Sequence, residues 1–174
     1  MHNKKIIKQI EYEKSQWDQL FKEELAALSV DFKLFPCAFW ELYYQETTKH
    51  IDGLLSQAAK SPSNVLEAGC GSGKGSLLLK SDINLTLVDI SKEALNLSRF
   101  FAKKINKNKK VKYIQANLFD LPLQNNNYDL VWNAGTVEHY GKSEIISLIE
   151  EMARVTKAGG LSDNRCAESK IFSL

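Results

Sequence analysis

Residues able to do chemistry are concentrated between positions 65 and 90. Val65-Leu66-Glu67-Ala68-Gly69-Cys70-Gly71-Ser72-Gly73 is an apolar run that ends on a carboxylate and passes straight into alternating glycines. A buried strand turning abruptly into a helix through glycine lets a ligand approach the main chain, because no Cβ stands in the way. About twenty residues on, Leu85-Thr86-Leu87-Val88-Asp89 ends in a second carboxylate, at the spacing of a ribose-binding acid in nucleoside-binding α/β folds. Together these features point to an adenosine-type cofactor.

Glycine spacing separates the candidate cofactors. A dinucleotide fingerprint needs G-x-G-x-x-G. Counted from Gly69 its last position is Lys74, and counted from Gly71 it is Ser76. The pyrophosphate loop of a nicotinamide enzyme is therefore not written here, which argues against an oxidoreductase. A phosphate loop needs G-x-x-x-x-G-K-[ST]. Here Gly73-Lys74 is followed by Gly75, and Ala68 stands where the first glycine belongs.

What remains, Glu67-x-Gly69-x-Gly71-x-Gly73, resembles motif I of the class I S-adenosylmethionine-dependent methyltransferases. Four further segments follow in that family's order. Ile114-Gln115-Ala116-Asn117-Leu118-Phe119-Asp120-Leu121-Pro122-Leu123 resembles its third strand and acidic loop, and Tyr128-Asp129-Leu130-Val131-Trp132-Asn133 its fourth strand. Thr136-Val137-Glu138-His139-Tyr140 is similar to the Glu-His signature of small-molecule methyltransferases, and Arg154-Val155-Thr156-Lys157-Ala158-Gly159-Gly160 to the end of the next helix. The resemblance covers roughly residues 60 to 160 and implies S-adenosylmethionine as cofactor, with methyl transfer by in-line displacement at the sulfonium. Such a donor is already activated, so the protein mainly positions two reactants and excludes water.

The resemblance also distributes roles. Asp89 would accept hydrogen bonds from both ribose hydroxyls, with capping of the helix beginning at Ser91 as its plain structural alternative. Gly69, Gly71 and Gly73 would pass under the methionine and ribose parts. Glu67 would lie at the amino-acid end, or else form a strand-terminal ion pair. Ile90 would pack on the adenine ring or simply fill core. Asn117 stands where the family has an aspartate, and it keeps an acceptor oxygen for the adenine amine or serves as a turn former. Leu118 would offer its N–H to the ring, and Asn133 and Ala134 would face the methionine part through backbone groups. His139 is the candidate general base, weighed against a histidine that packs the start of the next helix; Glu138 shares that alternative. Trp40, Tyr43, Tyr44, Thr47 and His50 fall on adjoining helical turns, where aromatic faces would attract a cation or else fill core.

These residues need a scaffold, and the patterning supplies one. Helical spacing over residues 4–28 (Ile6, Ile7, Ile10, Trp17, Leu20, Phe21, Leu25, Leu28) and 37–59 (Phe39, Leu42, Tyr43, Ile51, Leu54, Leu55) predicts two amphipathic helices. Pro36 opens the second and Ser61-Pro62-Ser63-Asn64 closes it. Strands at 64–69, 85–90, 111–116 and 129–134 then alternate with helices at 73–80, 91–106 and 142–156, which implies an α/β, Rossmann-like, mostly parallel sheet. The domain reading is a helical extension or lid over 1–60, a cofactor-binding core over 61–160 and a polar tail over 161–174. The expected strand order is 3-2-1-4. After Gly159-Gly160 the family resumes with an apolar strand, whereas Leu161-Ser162-Asp163-Asn164-Arg165-Cys166 is polar. The tail therefore reads as a truncated end, with later strands missing or degenerate. An open fourth-strand edge would then allow self-association, and a methyltransferase-like binding protein without catalysis is the alternative function.

Composition bounds the rest. The chain has 174 residues, 44% hydrophobic and 25% charged, with a net charge of +2. That is too near neutral to argue for nucleic acid or a membrane as partner. Three cysteines without paired spacing read as reduced thiols in a cytoplasmic protein. The basic run from Lys103 to Lys112 reads as a solvated loop. No prolines follow Asn133-Ala134-Gly135-Thr136, and the one Pro-Cys pair, Pro36-Cys37, precedes motif I. Both segments thus depart from the patterns of DNA-base methyltransferases, while the Glu-His signature and the helical N-terminal extension resemble methyltransferases of small molecules; that resemblance implies a small-molecule acceptor, with O, N or C as acceptor atom unassigned.

Overall fold

In the computed structural model, which describes residues 2–57, 63–105 and 109–165, five strands form one sheet in the order β3-β2-β1-β4-β5. Two helices precede it, α1 (His2–Val30) and α2 (Ala38–Ser56). Then come β1 (Ser63–Ala68), α3 (Lys74–Leu77), β2 (Ile83–Asp89), α4 (Lys92–Ile105), β3 (Val111–Gln115), β4 (Tyr128–Ala134), a 3-10 turn (Val137–His139), α5 (Lys142–Val155) and β5 (Thr156–Arg165). All four strand pairings are parallel. The side chains of Ile6, Ile7 and Ile10, and residues Pro62, Lys107 and Cys166, lie outside the described residues.

Strand alternation divides the core into two faces. Val65, Leu85, Leu87, Leu130 and Trp132 pack with Ile51 of α2 and Leu97 and Phe101 of α4. Leu66, Ala68, Val88 and Val131 pack with Leu148, Met152 and Val155 of α5. Both faces of β1 are buried, which is why its sequence is a continuous apolar run instead of an alternating one. The chain winds outward through β2 and β3, then returns to the other side of β1 as β4. The crevice at this reversal opens beyond the carboxyl ends of the strands, where α/β sheets place ligands.

The polar tail is a correction. Leu161, Ser162, Asp163, Asn164 and Arg165 pair in register with Leu130, Val131, Trp132, Asn133 and Ala134. Backbone groups on the open edge of β4 accept a strand whatever the polarity of its side chains, and an edge strand needs apolar residues on neither flank. Lys157 Nζ bonds Asp129 Oδ1 at 2.7 Å, and Asn133 Nδ2 donates to Asn164 Oδ1. A register shift after Tyr128 absorbs Gly159-Gly160. The edge of β4 is thus covered, and the basis for self-association through it is gone.

α3 is also shorter than the expected 73–80. Its exit is held by side chains in place of further helical bonds. Lys109 Nζ donates to the carbonyls of Ser76 and Leu79 at 3.2 and 2.7 Å, so this member of the basic run is half-buried instead of solvated. Asp52 of α2 accepts the N–H groups of Lys80 and Ser81, both at 3.1 Å. Ser91 caps α4 as expected: its Oγ accepts the Ala94 N–H at 3.0 Å and donates to Asp18 of α1 at 2.5 Å.

Candidate functional site

β1 ends at Ala68, and the next residues turn under the end of β2. The N–H groups of Gly69 and Cys70 both donate to the Val88 carbonyl, at 2.8 and 3.0 Å. Gly69 has φ +73°, and a Cβ there would overlap the Thr136 hydroxyl, which itself donates to the Gly69 carbonyl at 3.4 Å. Gly71 has φ +50°, and a Cβ there would come within 3.3 Å of the Phe21 ring on α1. These are left-handed conformations that side-chain-bearing residues reach only at a cost.

The bend and the second carboxylate meet directly. Asp89 Oδ2 accepts the Gly71 N–H and Oδ1 accepts the Ser91 N–H, both at 2.8 Å. Burial pushes the Asp89 carboxyl up to about 6, against the pull of the Ser91 and Gly71 N–H groups, with Asp18 pushing it further. Glu67, at the end of β1, is 4% exposed, and its Oε2 has no partner among the described residues. Burial pushes its carboxyl up to about 8, with Ser76 drawing it back and Asp89 adding a smaller upward push. No described cation pairs with Glu67, so the ion-pair alternative for it does not hold.

These groups face a cavity of about 780 Å³, within the usual range for small-molecule sites. Its floor is the carboxyl end of the sheet: Glu67, Gly69, Cys70, Gly71, Asp89, Ile90, Trp132, Ala134 and Gly135. Asn117 and Leu118, following β3, close one end. Its cover comes from α1 through Trp17, Leu20, Phe21 and Glu24, and from α2 through Trp40, Tyr43, Tyr44 and Thr47. The rings of Trp40, Tyr43 and Tyr44 cluster with centroids 5.3–6.1 Å apart, Tyr43 meeting the other two edge to face. Tyr44 bonds Ser72 of the glycine turn, and burial raises its hydroxyl well above the ordinary phenol range.

Three anticipated site residues are placed otherwise. Gly73 turns away from the cavity, where a Cβ would strike Ser98 and come within 2.9 Å of Leu87; it lets α3 and α4 pack on β2. Asn133 is fully buried on the opposite face of β4, donating to Met152 Sδ at 3.5 Å and to Asn164. Its neighbours Trp132 and Ala134 line the cavity instead. His50 lies 3.6 Å from Asp163 of β5, away from the cavity. Asn117 lines the cavity, but its Oδ1 accepts the Phe119 N–H at 3.1 Å. It thus serves as a turn former while still lining the cavity, and its Nδ2 has no partner among the described residues. His139 stands exposed at the cavity rim, its ring edge-on to Trp17 at 5.1 Å.

Several site groups were absent from the sequence reading. Phe21, Glu24 and Asp18 belong to α1, which ends at Val30, well before the glycines in sequence, and helical spacing does not say which strand end that helix will cover. Trp132 carried a signal: it is the one bulky aromatic in the last turn of β4, on the same face as Leu130. It packs where a Gly75 Cβ would lie, 2.6 Å from the indole, and its Nε1 has no partner among the described residues.

Known proteins give this geometry a context. A family described as "Methyltransferase domain" matches residues 65–160. The chain is 31% identical over 102 residues to ajmaline N-methyltransferase of Rauvolfia serpentina, covering 58% of this chain and 34% of that one. It is 26% identical over 163 residues to the ubiquinone/menaquinone biosynthesis C-methyltransferase of Rickettsia prowazekii, covering 88% and 62%. The chain thus spans about a third to just under two thirds of the length of these curated relatives. Among solved structures, magnesium protoporphyrin IX methyltransferase of Synechocystis, solved with SAM bound, superposes with a TM-score of 0.58 at 21% identity, covering 66% of this chain and 54% of that one. At that identity the likeness speaks for the fold.

Proposed function

This chain belongs to the methyltransferase domain family, and we propose that it transfers the methyl group of S-adenosylmethionine to a small-molecule acceptor. The observation that carries the reading is the junction of Gly71 and Asp89, 2.8 Å apart across the cavity floor. A carboxylate has about four lone-pair sites. Two are held by backbone N–H groups, which fix its orientation and leave acceptors for two vicinal ribose hydroxyls. Ile90 and Leu118 supply an apolar clamp for the base beside them, and the Asn117 Nδ2 a donor at its edge. The residues also suit the other end of such a cofactor, because the unpartnered Glu67 Oε2 is a buried acceptor awaiting an ammonium.

S-adenosylmethionine, when bound, supplies a methyl group on a sulfonium that needs no further activation. The protein's part is then orientation and exclusion of water. The backbone at Gly69, Ala134 and Gly135 sets the floor. Trp40, Tyr43 and Tyr44 offer π faces to positive charge, and α1 and α2 close the cleft over them. His139, steadied by Trp17, stands where it would take a proton from an incoming acceptor. Relatives named as an ajmaline N-methyltransferase, a ubiquinone/menaquinone biosynthesis C-methyltransferase and a fatty-acid O-methyltransferase support a small-molecule acceptor. The near-neutral charge speaks against nucleic acid as partner, the unpaired cysteine spacing supports a cytoplasmic site of action, and no described helix is long and apolar enough to cross a membrane.

Calorimetric titration with S-adenosylmethionine, S-adenosylhomocysteine and NAD tests the reading. Binding of the first two alone is expected, weakened at least tenfold by Asp89→Ala, a loss of about 1.5 kcal/mol or more for a charge-assisted contact. Tight binding of NAD, or of none of the three, would overturn it.

A further inference from the structure

Of the charged groups lining the cavity that the proposed transfer leaves unused, Lys74 is the most deeply buried. Lys74 follows the glycine turn and opens α3, and its side chain is only 6% exposed. Lysine is almost never buried so deeply without a partner. Its Nζ lies 3.4 Å from Glu24 Oε1 of α1, and 4.3 Å from the Phe101 ring centroid. That single contact is long for a charge-assisted bond. Glu24 is the one acceptor among the described residues for an ammonium with three donors. Burial lowers the Lys74 pKa, and Glu24 offsets only part of that.

The complementary defect lies on the same wall. Glu67 Oε2 is a buried acceptor with no donor. Its other oxygen is 3.6 Å from where a Cβ on Gly75, the residue after Lys74, would sit. Glu67, Lys74 and Glu24 all line the one cavity. A buried carboxyl whose Oε2 lacks a donor and a cation short of acceptors, on adjoining elements of one cavity, are complementary to an amino acid that carries an ammonium and a carboxylate on a single carbon.

We infer that Lys74 receives the carboxylate of the cofactor's amino-acid end, and that Glu24 holds the lysine only until that carboxylate replaces it. The inference rests on the cofactor reading above and assigns the half of the amino-acid end that Glu67 cannot serve. It also explains the long contact to Glu24, whose side chain is 36% exposed and able to swing into water when displaced.

Two ligands separate the contributions. S-adenosylhomocysteine carries the amino-acid end, and 5′-methylthioadenosine has the same nucleoside thioether without it. Binding of each to wild type, Lys74→Met, Lys74→Arg and Glu24→Gln is measured by calorimetry, with thermal unfolding to verify that each variant folds. Lys74→Met is expected to weaken S-adenosylhomocysteine tenfold or more and leave 5′-methylthioadenosine within twofold. Lys74→Arg should restore most of the loss, and Glu24→Gln should tighten S-adenosylhomocysteine severalfold by removing its competitor. Equal losses for both ligands would mark Lys74 as a structural tie between α1 and α3 and overturn the assignment. Unchanged or weaker binding in Glu24→Gln would overturn the exchange. Wild-type protein that binds neither ligand would overturn the cofactor reading and this inference with it, whereas wild-type binding that Lys74→Met leaves intact would overturn the inference alone.

Discussion

Raising the pH from 6 to 8 should tighten S-adenosylhomocysteine binding, because Glu67 must lose a proton before it can receive an ammonium. Its carboxyl, pushed up to about 8 by burial, is mostly protonated in the empty cleft at neutral pH. Of its neighbours, Asp89 titrates lower, at about 6, and Tyr44 stays protonated throughout. The fraction of ionised Glu67 therefore sets the apparent affinity above pH 7. The dissociation constant should fall about fivefold between pH 7 and 8, and about ninefold between pH 6 and 7, where Asp89 adds its own share. At pH 7 binding should release close to one proton, read by calorimetry in two buffers of different ionisation enthalpy. The sign for the empty protein is opposite. Neutral Glu67 is the form the fold favours, so its contribution is intact below the unfolded pKa of 4.5 and is lost as pH climbs to 8. The empty protein should lose thermal stability over that window, and bound ligand should recover part of it. Glu67→Gln should abolish both proton release and the slope above pH 7. 5′-Methylthioadenosine, without an ammonium, should show neither. S-adenosylhomocysteine binding that is flat from pH 6 to 8, with no proton released while Asp89→Ala still weakens it, would refute the reasoning.

Other perturbations read different parts of the site. Gly69→Ala puts a Cβ onto Thr136 at φ +73°. It should cost about 1–2 kcal/mol from the left-handed backbone alone, measured by urea unfolding, and should weaken nucleoside binding as well. Arg154 donates to the carbonyls of Leu121 and Leu123 at 3.0 and 2.8 Å, to Asn125 at 2.6 Å and to both oxygens of Glu151, tying the loop after β3 to α5. Arg154→Met should destabilise by about 1–3 kcal/mol and loosen the base-end contacts of Asn117 and Leu118, seen as weaker 5′-methylthioadenosine binding. Arg154 holds the Glu151 carboxyl below its usual range, so this tie stabilises above the ordinary carboxylate pKa and fades as pH falls through the lowered one. His139→Ala should lower turnover of an accepted substrate while leaving S-adenosylhomocysteine binding within twofold; unchanged turnover would reduce His139 to a packing partner of Trp17.

The central fold was legible because parallel strands buried on both faces have one signature, a continuous apolar run closed by turn residues. The runs at Val65–Ala68 and Leu85–Asp89 carry it, and the acid at the end of the second does meet the glycine bend after the first. β5 carries no such signature. Leu161–Arg165 pairs through its backbone with an edge already present, so pairing depends on a neighbour that residue-by-residue hydrophobicity does not see. The cover over the cavity was hidden for a related reason. The spacing of Phe21, Leu25 and Leu28 shows a helix with an apolar face, but only the three-dimensional structure shows that Phe21 rests on Gly71 and Asp18 on Ser91.

Asn133 was within reach of sequence reasoning. Side chains on a strand alternate between faces, and in β4 the sequence Leu130-Val131-Trp132-Asn133-Ala134 assigns Leu130, Trp132 and Ala134 to one face and Val131 and Asn133 to the other. If Ala134 leads into the cavity, Asn133 must face α5, and there it meets Met152. The same period in β1 and β2 puts Val65 with Glu67, and Leu85 and Leu87 with Asp89, on the face toward α2 and α4. Both carboxylates therefore point to one side of the sheet before any packing is considered. The register pairs Glu67 with Leu87, and Ala68 with Val88, so Asp89 projects one position beyond the end of β1, level with the glycine turn. That offset gives the two acids different surroundings. Asp89 reaches the backbone N–H groups of the turn and keeps a lower pKa, about 6. Glu67, one step inside, finds no donor for Oε2 and is pushed to about 8. Exchanging the two types, Glu67→Asp with Asp89→Glu, would draw the first carboxylate further from the cavity and drive the second into the Gly71 turn. The double variant should therefore bind S-adenosylhomocysteine no better than Asp89→Ala does, although charge and composition are unchanged.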